Sequence, residues 1–403
     1  MGENALFGFF EDYIFKESIF KERNALQSNY FPETISHRED QVNQVAKVLA
    51  PSLRMERPSN LFVYGKTGTG KTLTVKHVSQ NLMKVAAERK IPINVLYLNC
   101  KLRRGADTEY RLIAQLIREL GKEIPVTGLP TDEVYREFFS ILDSERKTTI
   151  LVLDEVDQLV KKVGDEVLYS LTRVNEELKK SQISLVGISN DLIFMDHVDP
   201  RVRSSLSEEE LIFPPYNAFQ LQDILRNRAE AALRGDSIEP GVIEKCAAYA
   251  AREHGDARRA LDLFRVAAEI AERNSERKIT LAHVDLAEES IERDRVFDVV
   301  KSQPKQSQAA LYSIIQSATS REKPKSTGEI YGNYRAIATR VGLRPLTQRR
   351  ISDILAELDM LGIIATRVLS KGRYGRTTEI SLAVAPSLLG KLRSMLEEGL
   401  AFS

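Results

Sequence analysis

The sequence is poor in several residue types. Its 403 residues include two cysteines, five histidines and no tryptophan. Cys100 and Cys246 lie far apart in the apolar stretches YLNCKL and EKCAAY. We therefore expect two buried thiols in a reducing compartment, with a disulfide as the less favoured alternative. Neither cysteine has a histidine at metal-ligand spacing, which argues against a zinc site.

The sequence also lacks an excess of charge of one sign and a long hydrophobic run. Its 58 basic and 57 acidic residues leave a formal net charge of +1. This excludes a globally basic nucleic-acid-binding chain but leaves local basic patches open. Acids interrupt the apolar N-terminal stretch MGENALFGFFEDYIFKES, unlike a signal peptide, and no run is long enough to span a bilayer. We expect a cytoplasmic protein with no membrane partner.

The distribution of apolar residues predicts three kinds of structure along the chain. The short apolar runs NLFVYG, INVLYLNC, TTILVLDE and ISLVGISN alternate with helical stretches, which is typical of an α/β domain with a parallel sheet. After FPPY the pattern is all-helical, with Asn217 as a cap, and the C-terminal part has the helices and hairpin of a winged helix. We expect domains at 1–216 (with an N-terminal segment 1–28), 217–300 and 301–403.

The stretch GKTGTGKT follows one of the predicted strands and precedes an amphipathic helix. It has the spacing of a phosphate-binding loop, in which backbone N–H groups surround phosphate oxygens. The lysine of such a loop contacts the β- and γ-phosphates, and its final hydroxyl binds Mg²⁺. The sequence therefore predicts a site for ATP or ADP with Mg²⁺. The predicted loop residues are Gly65, Lys66, Thr67, Gly68, Thr69, Gly70, Lys71 and Thr72.

Two acids follow the buried strand ILVL. We expect Asp154 to hold Mg²⁺ together with Thr72, and Glu155 to act as general base on the attacking water. Asn190 ends the next strand, where an amide can orient that water or contact the γ-phosphate; an asparagine that only forms a turn is the alternative. These residues predict an ATPase.

The segment LTQRRISDILAELDMLGII has the features of a recognition helix. Thr347 can cap it, and its predicted inward face consists of Ile351, Ile354, Leu355, Leu358 and Leu361. A recognition helix presents its N-terminal side chains to the major groove. The predicted DNA contacts of this helix are Gln348, Arg349, Arg350 and Ser352.

The stretch SKGRYGR forms the turn of a predicted hairpin, or wing. Between residues 335 and 376 there are nine basic and three acidic residues, so positive charge is concentrated in a nearly neutral chain. This pattern favours double-stranded DNA as a partner, although winged helices also mediate protein contacts. The predicted wing contacts are Lys371, Gly372, Arg373, Tyr374 and Arg376, with Tyr374 either packing on a sugar or bracing the hairpin.

Together these motifs resemble the AAA+ ATPases. Their order resembles the archaeal initiator family related to the first subunit of the eukaryotic origin recognition complex and its partner helicase loader. The resemblance covers nearly the whole chain, including SIFKERNALQSNYFPETISHREDQ, LVLDEVD, GISN, DPRVRSSL and GDARRAL. It implies a slow, switch-like ATPase at the nucleoid that binds origin DNA, helps to load the replicative helicase and acts with paralogous initiator subunits.

The resemblance also implies roles for individual residues. Asn190 would be the first sensor, and Arg258 in GDARRAL the second. Arg201 would complete a neighbouring subunit's site, with Arg203 in reserve, because Ser205 stands where the family's arginine is expected. A helical insertion after LNC would contact DNA through Arg103 and Arg104, with an ordinary solvated helix as the alternative. The implied adenine pocket consists of Tyr30, Phe31, Pro32, His37 and Arg38, and Tyr216 is a further expected nucleotide-binding residue.

Two other functions share parts of this pattern. Branch-migration motors have the same order of ATPase, lid and winged helix, but they are processive hexamers with fast turnover. ATPase switches that regulate transcription can carry an element similar to SHRED, usually followed by long sensor repeats. The longer N-terminal segment and the opening motif favour the initiator over the motor. The transcriptional switch is the third choice, because the sequence to Ser403 contains no such repeats.

Overall fold

The computed structural model describes most of the chain, in two compact units whose boundary falls between Val284 and Asp285. Within the described ranges, every helix is too short or too polar to cross a lipid bilayer. The described residues are 7, 17–101, 108–125, 128–206, 209–319, 325–370 and 376–401.

The first unit contains a five-stranded parallel sheet with strand order β2-β3-β4-β1-β5. All seven residues of β3 are buried, as expected for a central strand covered by helices on both faces. The four predicted apolar runs form β1 to β4, and the sequence did not predict the edge strand β5. The strands are β1 (Leu61–Tyr64), β2 (Ile93–Asn99), β3 (Thr148–Asp154), β4 (Gln182–Ser189) and β5 (Glu209–Ile212).

In the described ranges, seven α-helices flank this sheet and bury its two faces in separate apolar clusters. Residues of α1 and α2 join one cluster with Ile150 and Val152 of β3. Residues of α3 to α7 join the other with Leu151 and Leu153. The helices are α1 (Glu39–Leu49), α2 (Lys71–Arg89), α3 (Glu109–Glu119), α4 (Thr131–Leu142), α5 (Val156–Val163), α6 (Glu166–Glu177) and α7 (Pro200–Leu206).

A helical lid follows the α/β part. The predicted cap is confirmed: Oδ1 of Asn217 accepts a hydrogen bond from the N–H of Gln220, and the two residues form a capping box. The lid helices are α8 (Ala218–Ala232), α9 (Val242–Arg252) and α10 (Ala257–Arg273), and they are followed by α11 (Leu281–Ser302), which contains the unit boundary.

A short N-terminal segment is hydrogen-bonded to the lid. The N–H groups of Lys21 and Glu22 both donate to the carbonyl of Ala232, and the N–H of Arg234 donates to the carbonyl of Ile19. The buried carboxylate of Glu272 on α10 accepts from the Ser18 hydroxyl at 2.5 Å and forms an ion pair with Arg23. The lid therefore includes residues that precede the sheet in the chain.

The second unit has the winged-helix arrangement that the sequence predicted. The Thr347 hydroxyl caps α14 as expected, and four of the five residues of its predicted inward face are buried. Leu361 was predicted wrongly: α14 ends at Met360, and Leu361 is 38% exposed. The sequence also missed α15. The elements are α12 (Lys305–Thr319), α13 (Thr327–Arg340), α14 (Gln348–Met360), α15 (Leu389–Leu400) and the antiparallel strands β6 (Lys325–Ser326), β7 (Ile364–Ser370) and β8 (Arg376–Leu382), in the order β6-β8-β7.

Candidate functional site

The phosphate loop connects β1 to α2 at the carboxyl edge of the sheet, and two of its glycines are closely packed. A Cβ built on Gly65 would lie 2.6 Å from the carbonyl oxygen of Phe213, and one on Gly70 would lie 2.8 Å from the hydroxyl of Tyr216. These distances leave no room for a side chain. The loop backbone is therefore the surface that this part of the chain can offer to a ligand, as a phosphate cradle requires.

Lys71, the first residue of α2, is 5% exposed and lies inside the loop. Its Nζ donates to the carbonyl oxygens of Gly65 and Lys66, at 2.7 and 2.8 Å, and to Oδ1 of Asn190 at 2.9 Å. Burial lowers the pKa of Lys71 to about 8, and the negative charge of Asp154 opposes this shift. The structure thus brings the predicted lysine and the predicted first sensor into contact.

Asp154 lies at the end of β3, directly beside the start of α2. Its Oδ2 accepts a hydrogen bond of 3.0 Å from the Thr72 hydroxyl, and its Oδ1 accepts one of 3.0 Å from the N–H of Glu155. A carboxylate and a hydroxyl at this separation are hard oxygen ligands of the kind that Mg²⁺ prefers. The residues present therefore fit the predicted metal.

Glu155 follows Asp154 with a left-handed backbone, at φ 57°. One of its carboxylate oxygens lies 3.7 Å from Nζ of Lys101, which is mostly exposed. The left-handed conformation ends β3 abruptly and starts α5 at the next residue. The Glu155 side chain therefore does not continue the alternation of side chains along β3.

Two residues near this acid pair were not singled out from the sequence. The Tyr97 hydroxyl, from β2, donates a hydrogen bond to Oδ2 of Asp154. The buried Asp157 accepts hydrogen bonds of 3.3 and 3.4 Å from the Ser189 hydroxyl and the N–H of Asn190. The first contact joins β2 to β3, and the second joins α5 to the end of β4, so no local sequence pattern could have predicted them.

The lid contacts the phosphate loop at the start of α10. The N–H of Ala257 donates to the carbonyl oxygen of Gly68 at 3.2 Å. The carboxylate of Asp256 caps α10 and lies against Gly68. The predicted second sensor, Arg258, is exposed in the first turn of α10, and its charge is among the causes that lower the pKa of Lys71.

Arg38 joins the loop to two other segments. Its Nε donates to the carbonyl of Thr69 at 2.9 Å and its Nη2 to the carbonyl of Pro214 at 2.5 Å. The guanidinium lies 3.8 Å from the ring centroid of Tyr216, and the whole residue is only 2% exposed. Burial lowers the pKa of Arg38. These contacts show that Arg38 braces the phosphate loop from inside the fold.

The other residues of the implied adenine pocket are partly exposed. Phe31 stacks on the ring of His77 from α2, with centroids 5.9 Å apart. Nε2 of His37 lies 3.0 Å from Oδ2 of Asp223 on α8. The guanidinium of Arg228, also on α8, lies 4.6 Å from the ring centroid of Tyr30. Like Tyr30 and Phe31, Pro32 is partly exposed.

The two candidate arginines for a neighbouring site lie on α7 and are exposed. Arg201 pairs with Asp199 at 3.2 Å, and Arg203 pairs with Asp196 at 3.2 Å. Both guanidinium groups are therefore held by carboxylates of their own chain. Arg103 and Arg104, in the predicted helical insertion, lie outside the described residues.

The predicted DNA-reading residues of α14 lie in its first two turns and are all exposed. Arg350 pairs with Asp353 at 3.6 Å, and the Ser352 hydroxyl donates to the carbonyl of Gln348. For Arg349, no acidic partner occurs among the residues that the structure describes. Of the wing, Lys371, Gly372, Arg373 and Tyr374 lie outside those residues, and Arg376 is the first residue of β8.

Comparisons with known proteins cover most of the chain and agree with one another. Family models match at residues 54–193 (AAA domain), 222–289 (Cdc6 AAA+ ATPase-type lid domain) and 298–391 (CDC6, C terminal winged helix domain). An ORC1-type DNA replication protein of Thermococcus onnurineus is 50% identical over 390 residues, which is 96% of this chain and 93% of the relative. The chain belongs to the Cdc6/ORC1 family of AAA+ ATPases.

Further members of the Cdc6/ORC1 family support this conclusion. An ORC1-type DNA replication protein of Pyrococcus abyssi is 53% identical over 381 residues, covering 94% of this chain and 90% of the relative. The Aeropyrum pernix ORC1 protein, solved in complex with DNA, is 44% identical. That structure superposes with a TM-score of 0.82, covering 96% of this chain and 98% of the other. The resemblance inferred from the motifs is therefore confirmed.

Proposed function

We propose that this chain is an ATP-regulated DNA replication initiator that binds origin DNA and helps to recruit the replicative helicase. The observation that carries the proposal is 50% identity over nearly the full length to an ORC1-type DNA replication protein. The lid and winged-helix matches are both to Cdc6 domains, which favours the initiator over a branch-migration motor or a transcriptional switch. The proposed location is the cytoplasm, at the nucleoid.

The proposed ligand of the phosphate loop is ATP or ADP. The buried ammonium of Lys71 contacts three oxygens of its own chain and can exchange them for phosphate oxygens, because it donates in three directions. Thr72 and Asp154 would hold Mg²⁺, which neutralises phosphate charge when it is bound. The partly exposed residues Tyr30, Phe31, Pro32 and His37 would line the adenine side, with Arg38 and Tyr216 beneath.

Hydrolysis is assigned to two residues. Glu155 would accept a proton from the attacking water, and Asn190 would orient that water from the end of β4. Asn190 is held by the N–H···Asp157 contact and by Lys71, which fixes its position relative to the loop. Arg258 at the start of α10 would link the phosphates to the lid. These roles make the lid position depend on the bound nucleotide.

DNA binding is assigned to the start of α14 and to the wing. The first two turns of α14 carry four exposed polar or basic side chains, which suit readout of the major groove. Of these, Arg349 has no acidic partner in the described part of the chain. The wing residues Lys371 to Arg376, and Arg103 and Arg104 of the insertion, would add phosphate or minor-groove contacts. The domain boundaries proposed for these roles are 1–216, 217–300 and 301–403.

A DNase footprint on origin-like repeats of the source genome tests the proposal. We expect Arg349→Ala and Arg373→Ala to weaken protection by about tenfold, because one good base contact contributes about 1–3 kcal/mol. Lys391→Ala, an exposed change on α15, is the matched control and should protect like the parent. A parent protein that binds these repeats no better than a scrambled duplex of equal composition would overturn the proposal.

The proposed protein partners are the replicative helicase and paralogous initiator subunits. Arg201 is the first candidate for a contact with a neighbouring nucleotide, with Arg203 second, and each would have to exchange its present carboxylate for phosphate oxygens. Mixing Arg201→Ala protein with excess Lys71→Ala protein tests this role. Hydrolysis that is insensitive to Arg201→Ala in a DNA-bound assembly would contradict it.

A further inference from the structure

Tyr97 contacts the candidate magnesium ligand from a strand that carries none of the established nucleotide motifs. On the neighbouring strand β3, the residue in register with Tyr97 is Val152, two residues before Asp154. Because side chains alternate along a strand, Tyr97, Val152 and Asp154 lie on the same face, the one covered by α2. From there the phenol reaches the carboxylate and donates a hydrogen bond to its Oδ2.

The two carboxylate oxygens of Asp154 are held by different parts of the fold. Oδ2 accepts from the Thr72 hydroxyl of α2 and from the Tyr97 hydroxyl of β2, whereas Oδ1 accepts from the N–H of Glu155. The terminal torsion of an aspartate has a broad, shallow energy profile, so the carboxylate plane is fixed only by its partners. Thr72 is itself a candidate metal ligand. When the Thr72 hydroxyl binds the metal, Tyr97 is the side-chain donor that can still fix the plane of the Asp154 carboxylate.

The phenol ring is itself held in place. Nζ of Lys76, one helical turn after Thr72, lies 4.1 Å from the centroid of the Tyr97 ring. An ammonium at this distance is attracted to the ring face. A tyrosine phenol carries its proton at neutral pH and therefore remains a donor. The donor and its orientation are therefore both fixed before a ligand binds.

We propose that Tyr97 is a positioning residue that sets the orientation of Asp154 for Mg²⁺ and thereby the Mg²⁺ dependence of nucleotide binding. The inference rests on the proposed nucleotide site and extends it to a residue on β2. Removing a residue that orients a metal ligand typically weakens metal affinity about tenfold or more. The hydroxyl has no proposed contact with the nucleotide, so binding without metal should not change.

The test compares Tyr97→Phe with Tyr64→Phe in the full chain. Tyr64 lies on β1, and its buried hydroxyl has no hydrogen-bond partner within the described ranges, so this variant loses the same group without freeing Asp154. The affinity for a fluorescent non-hydrolysable ATP analogue is measured by anisotropy in EDTA and along a MgCl₂ series. Thermal unfolding without nucleotide checks that each variant is folded.

We expect Tyr97→Phe to raise the half-saturating Mg²⁺ concentration about tenfold, with unchanged affinity in EDTA, and Tyr64→Phe to match the parent. An unchanged or lowered Mg²⁺ requirement in Tyr97→Phe overturns the inference. An equal loss of affinity with and without Mg²⁺ also overturns it, because that result indicates a general packing role. A parent that binds no nucleotide in either buffer instead contradicts the proposed nucleotide site from which the inference starts.

Discussion

Gly68 of the phosphate loop and Asp256 of the lid are in direct contact. A Cβ built on Gly68 would lie 1.7 Å from Oδ1 of Asp256, and the backbone there has φ +73°, a left-handed conformation that favours glycine. The N–H of Ala257 completes the contact by donating to the Gly68 carbonyl. The loop that is predicted to bind phosphates therefore also forms part of the surface on which the lid rests.

Gly68→Ala should weaken nucleotide binding at least tenfold. The added methyl group would displace Asp256, and the left-handed backbone would be strained by about 1–3 kcal/mol, where about 1.4 kcal/mol corresponds to a factor of ten. The affinity is measured by titration calorimetry with ADP. Gly235→Ala is the matched control, because a Cβ there meets no described atom within 4 Å.

A double-mutant cycle separates the two causes. If the steric contact matters, Gly68→Ala should cost less affinity in an Asp256→Ala background than in the parent. Parent-like affinity in the single Gly68→Ala variant would show that the lid contact does not constrain the loop.

The low pKa of Lys71 predicts a proton uptake on nucleotide binding at alkaline pH. With a pKa of about 8, Lys71 is charged at pH 7 and increasingly neutral above pH 8, whereas a phosphate ligand favours its charged form. We therefore expect uptake near zero at pH 7 that rises toward one proton at pH 9, with falling affinity. Calorimetry in two buffers of different ionisation enthalpy measures it.

The same shift affects the stability of the nucleotide-free protein. An unfolded lysine keeps its proton up to about pH 10.4, so between about pH 8 and that value the unfolded chain binds more protons at this site than the folded one. The contribution of Lys71 to the free energy of unfolding should thus increase with pH over this window and be constant below it.

In the calorimetric experiment, zero proton uptake on nucleotide binding at pH 9 would mean that Lys71 is not the titrating group.

Glu155→Gln should separate binding from hydrolysis. We expect ATP turnover to fall by about a hundredfold or more, because the amide cannot accept a proton, while nucleotide affinity stays close to that of the parent. Lys71→Ala should instead abolish binding. Single-turnover hydrolysis and equilibrium binding are measured in parallel, with the exposed Glu88→Gln on α2 as control. Normal hydrolysis by Glu155→Gln would assign the base to another residue.

Arg38→Met should lower the free energy of unfolding by about 3 kcal/mol, because the buried carbonyl of Thr69 and the partly buried carbonyl of Pro214 lose a charged donor. In urea, the midpoint of the first transition should fall with little change in its slope. Nucleotide affinity should fall as well, since Thr69 belongs to the phosphate loop. Arg54→Met removes an exposed arginine from the same unit and should leave both unchanged. Unaltered stability would show that Arg38 does not brace the loop.

The parts of the fold and site that the sequence predicted depend on local patterns. The phosphate loop is a continuous stretch between a strand and a helix, and β3 is a continuous buried run that ends in Asp154. Both reflect the geometry of parallel strands, which are apolar on two faces and end at a common edge. The cap at Asn217 is equally local.

The parts that the sequence did not predict depend on contacts between distant segments. The strand β5 reads EELI, with two acids and an exposed Ile212, and exists because it pairs in parallel with β1. The hydrogen bond from Tyr97 to Asp154 requires the register of β2 on β3. Arg38 was assigned by resemblance to the adenine pocket, but its bonds under the loop depend on three segments that meet only in the folded chain.

The attachment of Ser18 and Arg23 to Glu272 has a practical consequence for dissecting the protein. An excised lid that starts at Asn217 would expose a carboxylate whose two partners were left on the other fragment. An excised ATPase fragment would retain a segment that had lost its packing surface. A cut between the sheet and the lid therefore damages both pieces, and the smallest separable fragment of this half of the chain contains the sheet, the lid and the residues that precede them.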